Sequence, residues 1–194
     1  MKIAIKRLLT LALAVVMLAL SLSLVSCSEE ESTIEDFLSA DNYTYKQDEN
    51  KFIMVDGSTV YCKNEVNEQY LYLSEAEECY YYCALVKGTI ISKLKIDSED
   101  YIIYHNQMVS GASSFAAELT AFLQIMDELE RDGEAYKYQT HSDGTYTAKI
   151  TIKEEQIIRE ATIQGVKYVS KVCDMDNTVI TIPNAVKQAP SVTK

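Results

Sequence analysis

The sequence predicts an α+β domain: a curved antiparallel β-sheet, an incomplete barrel, wrapping one central amphipathic helix. Three observations lead there. Short runs of alternating apolar and polar residues, rich in Tyr, Ile and Val, occupy the chain on both sides of its middle. One stretch between them switches to helical spacing. Asp, Gly and Asn punctuate the alternating runs at the intervals an antiparallel meander needs. Strands, a helix and then more strands are segregated rather than interleaved, which is the α+β arrangement.

The first element stands outside that domain. Lys2, Lys6 and Arg7 precede an apolar run from Leu8 to Val25, broken only by Thr10, Ser21 and Ser23, and the run closes in Leu24-Val25-Ser26-Cys27. It is long enough to span a bilayer, but small residues at its end read as a cleavage site. The pattern resembles the signal peptide and lipobox of bacterial lipoproteins. That resemblance covers the first 27 residues. It implies that residues 1–26 are removed and that Cys27 becomes the first residue, carrying a diacylglyceryl group on its sulfur. Two acyl chains on one residue would give stable anchoring where one would be marginal. The alternative is an uncleaved helical anchor with an incidental Cys27. The expected location is extracytoplasmic, lipid-anchored to the cell membrane through Cys27.

Residues 27–40 begin Cys-Ser-Glu-Glu-Glu-Ser-Thr and read as an acidic flexible tether. Residues 41–187 then form a single domain, and 188–194, with Pro190 and little to bury, fray. Without residues 1–26 the chain keeps 15 Lys and Arg against 29 Asp and Glu, a formal charge of −14. Such a surface does not bind nucleic acid through its phosphates, and an anionic membrane face repels it, so contact with the bilayer rests on the lipid. Solubility of an exported domain is the simplest reading of the acidity.

Phe52 and Met54 alternate with Ile53 and Val55 up to the Asp56-Gly57 turn, and Val60 to Asn64 resumes a strand. Tyr70-Leu71-Tyr72-Leu73 puts tyrosines on one face and leucines on the other. From Cys79 to Val86, Cys79, Tyr81, Cys83 and Leu85 share a face. Thr89 to Ile96 places Ile90, Leu94 and Ile96 together, with Lys93 and Lys95 opposite. Asp97 to Met108 reads two ways: Ser98-Glu99-Asp100 as a helix start, Tyr101-Ile102-Ile103-Tyr104 as a strand. The helix covers Ser113 to Arg131, where Phe115, Leu119, Phe122, Leu123, Met126 and Leu129 trace one stripe. Ser113 or Ser114 would cap its start and Gly133 its end. Alternation returns at Tyr136 and Tyr138, turns at Asp143-Gly144, and gives the inward set Tyr146, Ala148, Ile150 and Ile152. Ile157, Ala161 and Ile163 form the next strand, and Tyr168 to Cys173 and Thr178 to Ile182 close the sheet before Pro183.

An exported lipoprotein with a Tyr-rich meander, a central helix and a closing Thr-Val-Ile-Thr-Ile-Pro resembles the LolA/LprG-type lipoprotein and lipid carriers in layout over residues 42–186. The resemblance implies a half-barrel that encloses acyl chains, with Phe115, Leu119, Phe122 and Met126 lining its interior. The same stripe also reads as ordinary core.

Four cysteines remain, Cys62, Cys79, Cys83 and Cys173. On a strand, Cys79 and Cys83 lie about 13 Å apart, too far for a bond. Cys62 falls on a strand that does not neighbour theirs, so no disulfide is specified and buried free thiols are the simpler reading. A zinc site from Cys62, Cys79 or Cys83 with His105 or His141 lacks the spacing such sites use. His141 sits in a predicted hairpin loop, and Glu77-Glu78 and Glu154-Glu155 read as solvated turn charge. No nucleophile elbow, phosphate loop or zinc-protease helix is present. The expectation is a non-catalytic domain without cofactor or metal that binds a hydrophobic ligand, a lipid or acyl chain. A filled-core module that binds a protein partner is the alternative, and a hydrolase with unrecognised carboxylates ranks behind both.

Overall fold

The computed structural model describes residues 29–138, 146–153 and 155–193. The signal segment, Cys27, His141, the Asp143-Gly144 turn and Glu154 lie outside the described residues. Among the described residues the fold is mixed α+β: four α-helices and a 12-stranded sheet that does not close. No helix among them is long and apolar enough to cross a membrane.

The chain enters through α1 (Glu29–Ser39) and runs into a meander of β1 (Asn42–Asp48), β2 (Lys51–Asp56), β3 (Thr59–Asn64), β4 (Asn67–Ser74), β5 (Cys79–Val86) and β6 (Thr89–Ile96). Two consecutive helices follow, α2 (Ser98–Met108) and α3 (Ser110–Leu123), then a 3-10 turn (Met126–Glu128). A second meander holds β7 (Arg131–Asp132), β8 (Ala135–Tyr138), β9 (Tyr146–Lys153), β10 (Gln156–Ile163) and β11 (Val166–Cys173). The two meanders join by antiparallel pairing of β1 with β11. A short α4 (Asn184–Gln188) leads to β12 (Val192–Thr193), which pairs parallel with β6. Lys87-Gly88 and Gln164-Gly165 turn their hairpins with both residues at positive φ. That is the tight turn whose twist suits paired strands, and glycine meets its second position without steric cost.

The β1–β6 half of the sheet buries side chains on both faces. On one face Val55, Val60, Leu71 and Ile96 pack with Met108 and Val109 of the α2–α3 junction. Further along the same face Tyr45, Ile150, Ile157 and Val172 pack with Phe37 of α1 and Phe115, Leu119 and Phe122 of α3. Arg159 of β10 reaches Glu118 of α3 there, Nε to Oε1 2.8 Å. On the opposite face Tyr70, Tyr72, Tyr81 and Cys83 pack beneath Val186 of α4 and Ile182. The tyrosine content follows from this arrangement. Tyr80 and Tyr82 meet Tyr101 and Tyr104 of α2 at 4.3 Å between ring centroids, while Tyr81 and Tyr72 face the C-terminal segment.

Several expectations are corrected. The acidic stretch is not a tether as far as residue 40: α1 forms there, because Ile34 and Phe37 share one helical face and are both buried. Two helices in series replace the single central one. Asp97 settles the ambiguous segment as helix by accepting the Asp100 amide. The second helix begins at Ser110 rather than Ser113, and Ser114 sits inside it, donating back to the Ser110 carbonyl. It ends at Leu123, and Gly133 turns the β7–β8 hairpin instead of closing a helix. Ile90 does not share a face with Leu94 and Ile96, because a bulge leaves Ile91 without a partner on β5 and reverses the alternation. Thr178 to Ile182 is not a strand. Its first residue is held by Asn42 and Thr44, and the chain then crosses the face of the sheet. Residues 188–193 are tied down rather than frayed: the buried Lys93 ammonium donates to the Lys187 and Ala189 carbonyls, and β12 pairs with β6.

Candidate functional site

The helix stripe singled out by the sequence lies in the core. Phe115 and Met126 are 3% exposed, and Leu119 and Phe122 keep no accessible surface. A side chain lining a void large enough for water would keep surface open to it, so the space around Leu119 and Phe122 is filled. Phe122 meets Tyr136 edge-on at 5.4 Å, and Phe115 packs against Tyr45 at 5.7 Å. These contacts are worth more than burial alone. Period-two and period-3.6 patterns fixed which residues point inward; they carry no information on whether the interior is full.

Open space lies elsewhere. A groove of about 580 Å³ runs over the outer face of β11, β1 and β2, the face away from α3. Phe52, Met54 and Val169 give it apolar surface, Val169 with 41% exposure. Lys46 and Lys171 stand directly opposite each other across the β1–β11 pair. Like charges in that relationship repel, and neither lysine closes an ion pair among the described residues. Asp48 and Glu49 occupy the groove's hairpin end, and Asp174, which accepts from the Cys173 thiol, its other end. From Phe52 an aromatic strip continues over β3 and β4: Phe52 to Tyr61 at 5.7 Å, Tyr61 stacked on Tyr70 at 4.6 Å. Both tyrosine hydroxyls point to Glu68. Burial and that carboxylate hold the Tyr61 phenol above its ordinary range.

A second, smaller cleft of about 290 Å³ opens on the helix-bearing face where α2 gives way to α3. Register places Tyr45, Ile53, Cys62 and Gln69 in one row across β1 to β4 beneath it. The Cys62 thiol donates to the Met108 carbonyl at 3.4 Å, tying the end of α2 to the sheet. Burial pushes the Cys62 thiol up to about 12, so it stays neutral.

All four described cysteines are free. Cys79 and Cys83 occupy one strand, and β4 separates that strand from Cys62 on β3. Among the described residues no group of three or more His, Cys, Asp or Glu side chains could hold a metal ion. His105 lies on α2 with its ring 5.7 Å from that of Tyr101. Glu77 accepts from the Tyr81 hydroxyl at 2.6 Å, a structural contact at the β4–β5 turn. Comparison of the chain with protein-family models, curated proteins and solved structures finds no match.

Proposed function

We propose that the protein is an extracytoplasmic lipoprotein, anchored to the membrane by lipid on Cys27, whose non-catalytic domain binds a hydrophobic ligand on the outer face of its sheet. The ligand class is a lipid or acyl chain. The observation that carries this reading is the contrast between a filled helix stripe and an open, apolar-floored groove of about 580 Å³, a size within the roughly 300–1,000 Å³ of small-molecule sites. We read the open sheet as an incomplete barrel curved over α2 and α3, its interior occupied by their side chains. The acyl chain then lies along Phe52, Met54 and Val169.

The aromatic strip Phe52–Tyr61–Tyr70 favours a second reading, a surface for a protein partner, because aromatic side chains dominate such contacts. Two substitutions separate the parts of the proposal. Met54→Lys places a charge on the groove floor and abolishes binding of a fluorescent fatty acid with the fold intact; wild-type protein that binds no such probe sinks the acyl-ligand reading and leaves the partner surface. Cys27→Ala removes the lipid acceptor and releases the domain from the membrane fraction. Persistent fatty-acid labelling of that variant contradicts the anchor.

A further inference from the structure

We propose that the cleft at the α2–α3 junction is a saccharide site, taking one or two rings of a neutral or acidic sugar. The cleft opens on the helix-bearing face, borders the outer groove at Gln47 and Phe52, and its occupancy goes beyond the function proposed above.

The lining chemistry points there. Five carboxamide residues converge on the cleft: Gln47 of β1, Asn64 of β3, Asn67 and Gln69 of β4, and Gln107 of α2. A carboxamide both donates and accepts, which is what a ring of hydroxyls requires of its neighbours. Most of that capacity is unspent. Gln47 and Gln69 each donate once, to the Tyr45 and Tyr82 hydroxyls, and the Asn67 and Gln107 side chains hold no hydrogen bond among the described residues.

Charge narrows the class. The chain carries 29 Asp and Glu, yet no lining residue of this cleft is acidic, and Lys51 and Lys63 are its only charges. A cationic ligand finds no partner there, whereas a carboxylate-bearing sugar finds two lysines. Topology disfavours a peptide. Strands β1 to β4 are each paired on both sides, so no backbone edge is open for an added strand and recognition falls to side chains. Gly111, at the first turn of α3, leaves the cleft its depth: a methyl group there would stand 3.4 Å from the Tyr45 ring and 3.7 Å from the Gln47 amide.

The side-chain amide signals of these residues make the test direct. The full chain, ¹⁵N-labelled in phosphocholine micelles, is titrated with glucose, N-acetylglucosamine and glucuronic acid, with glucosamine as the cationic control and a neutral tripeptide as the competing class. The expected result is saturable movement of the Gln47, Asn67, Gln69 and Gln107 side-chain signals, strongest with the uronic acid and weakest with glucosamine. The double variant Asn67→Ala, Gln107→Ala then lowers affinity about tenfold, the cost of two net hydrogen bonds, with the remaining spectrum unchanged. No movement with any saccharide up to its solubility limit overturns the proposal. So does tighter binding of the tripeptide at the same signals.

Discussion

Arg159 of β10 and Glu118 of α3 form an ion pair with Nε 2.8 Å from Oε1, and the side chains are only 17% and 19% exposed. It is the polar fastening of α3 to the second meander. At that burial, removing one partner leaves the other poorly solvated. Glu118→Ala is expected to cost about 1–3 kcal/mol in urea unfolding, the range for hydrogen bonds to charged groups. Added salt should change that cost little, since a pair shielded from water is weakly screened. A loss below a few tenths of a kcal/mol would mark the pair as an exposed contact of no consequence.

Lys93 holds the C-terminal segment by its ammonium, 2.7 Å from the Lys187 carbonyl and 3.2 Å from that of Ala189, above the Tyr81 ring. Lys93→Met keeps the aliphatic stem and removes the donors. Hydrogen exchange of residues 184–193 should accelerate while β9 to β11 stay protected. Unchanged exchange would show that Val186 alone keeps the segment down.

Buried thiols and phenols make stability fall at alkaline pH. Burial pushes both Cys62 and Tyr72 up to about 12, from ordinary values of 9.0 and 10.0. Both groups are neutral when protonated, so the folded state holds its proton longer than the unfolded chain does. Their contribution to stability is complete below pH 9 and is lost as pH rises towards 12. The urea midpoint should therefore be level with respect to these groups up to about pH 9 and fall above it, and Cys62→Ala should make the fall shallower. An identical slope in the variant would remove Cys62 from the account.

Phe122→Ala tests whether the stripe is core. With no accessible surface on the wild-type ring, truncation should cost about 3–5 kcal/mol, a large share of the roughly 5–15 kcal/mol that holds a domain together. A nearly unchanged midpoint would mean that the ring borders existing space.

Much of the scaffold was legible in the residues themselves. Tyr70-Leu71-Tyr72-Leu73 alternates in sequence, and in the fold Tyr70 and Tyr72 enter one core and Leu71 the other, while Leu73 at the strand end stays exposed. Phe115, Leu119 and Phe122 lie where helical spacing puts them, and Met126 joins the same core from the 3-10 turn beyond α3. Other features were hidden for identifiable reasons. Ile34, Phe37 and Leu38 carry helical spacing, but the acidic run before them reads as solvated chain. The bulge at Ile91 is a property of the β5–β6 pairing, and no local pattern announces it. Thr178-Val-Ile-Thr-Ile has strand propensity, yet the contacts of Thr178 with Asn42 and Thr44 carry the chain out of the sheet. The outer groove and the cleft at the α2–α3 junction were the least visible. Each is assembled by cross-strand register, Lys46 beside Lys171 and Tyr45 beside Ile53, Cys62 and Gln69, from residues far apart in the chain.

The acyl ligand proposed above lies on the outer face of the sheet and not beside α3. Methyl NMR with a spin-labelled fatty acid reads this directly, because the label broadens only the methyl groups it approaches. With the chain on the outer face, the Met54 and Val169 signals are lost while those of Leu119 and Met126 remain sharp. Broadening of Leu119 and Met126 with Met54 and Val169 unaffected would contradict it and return the ligand to the interior.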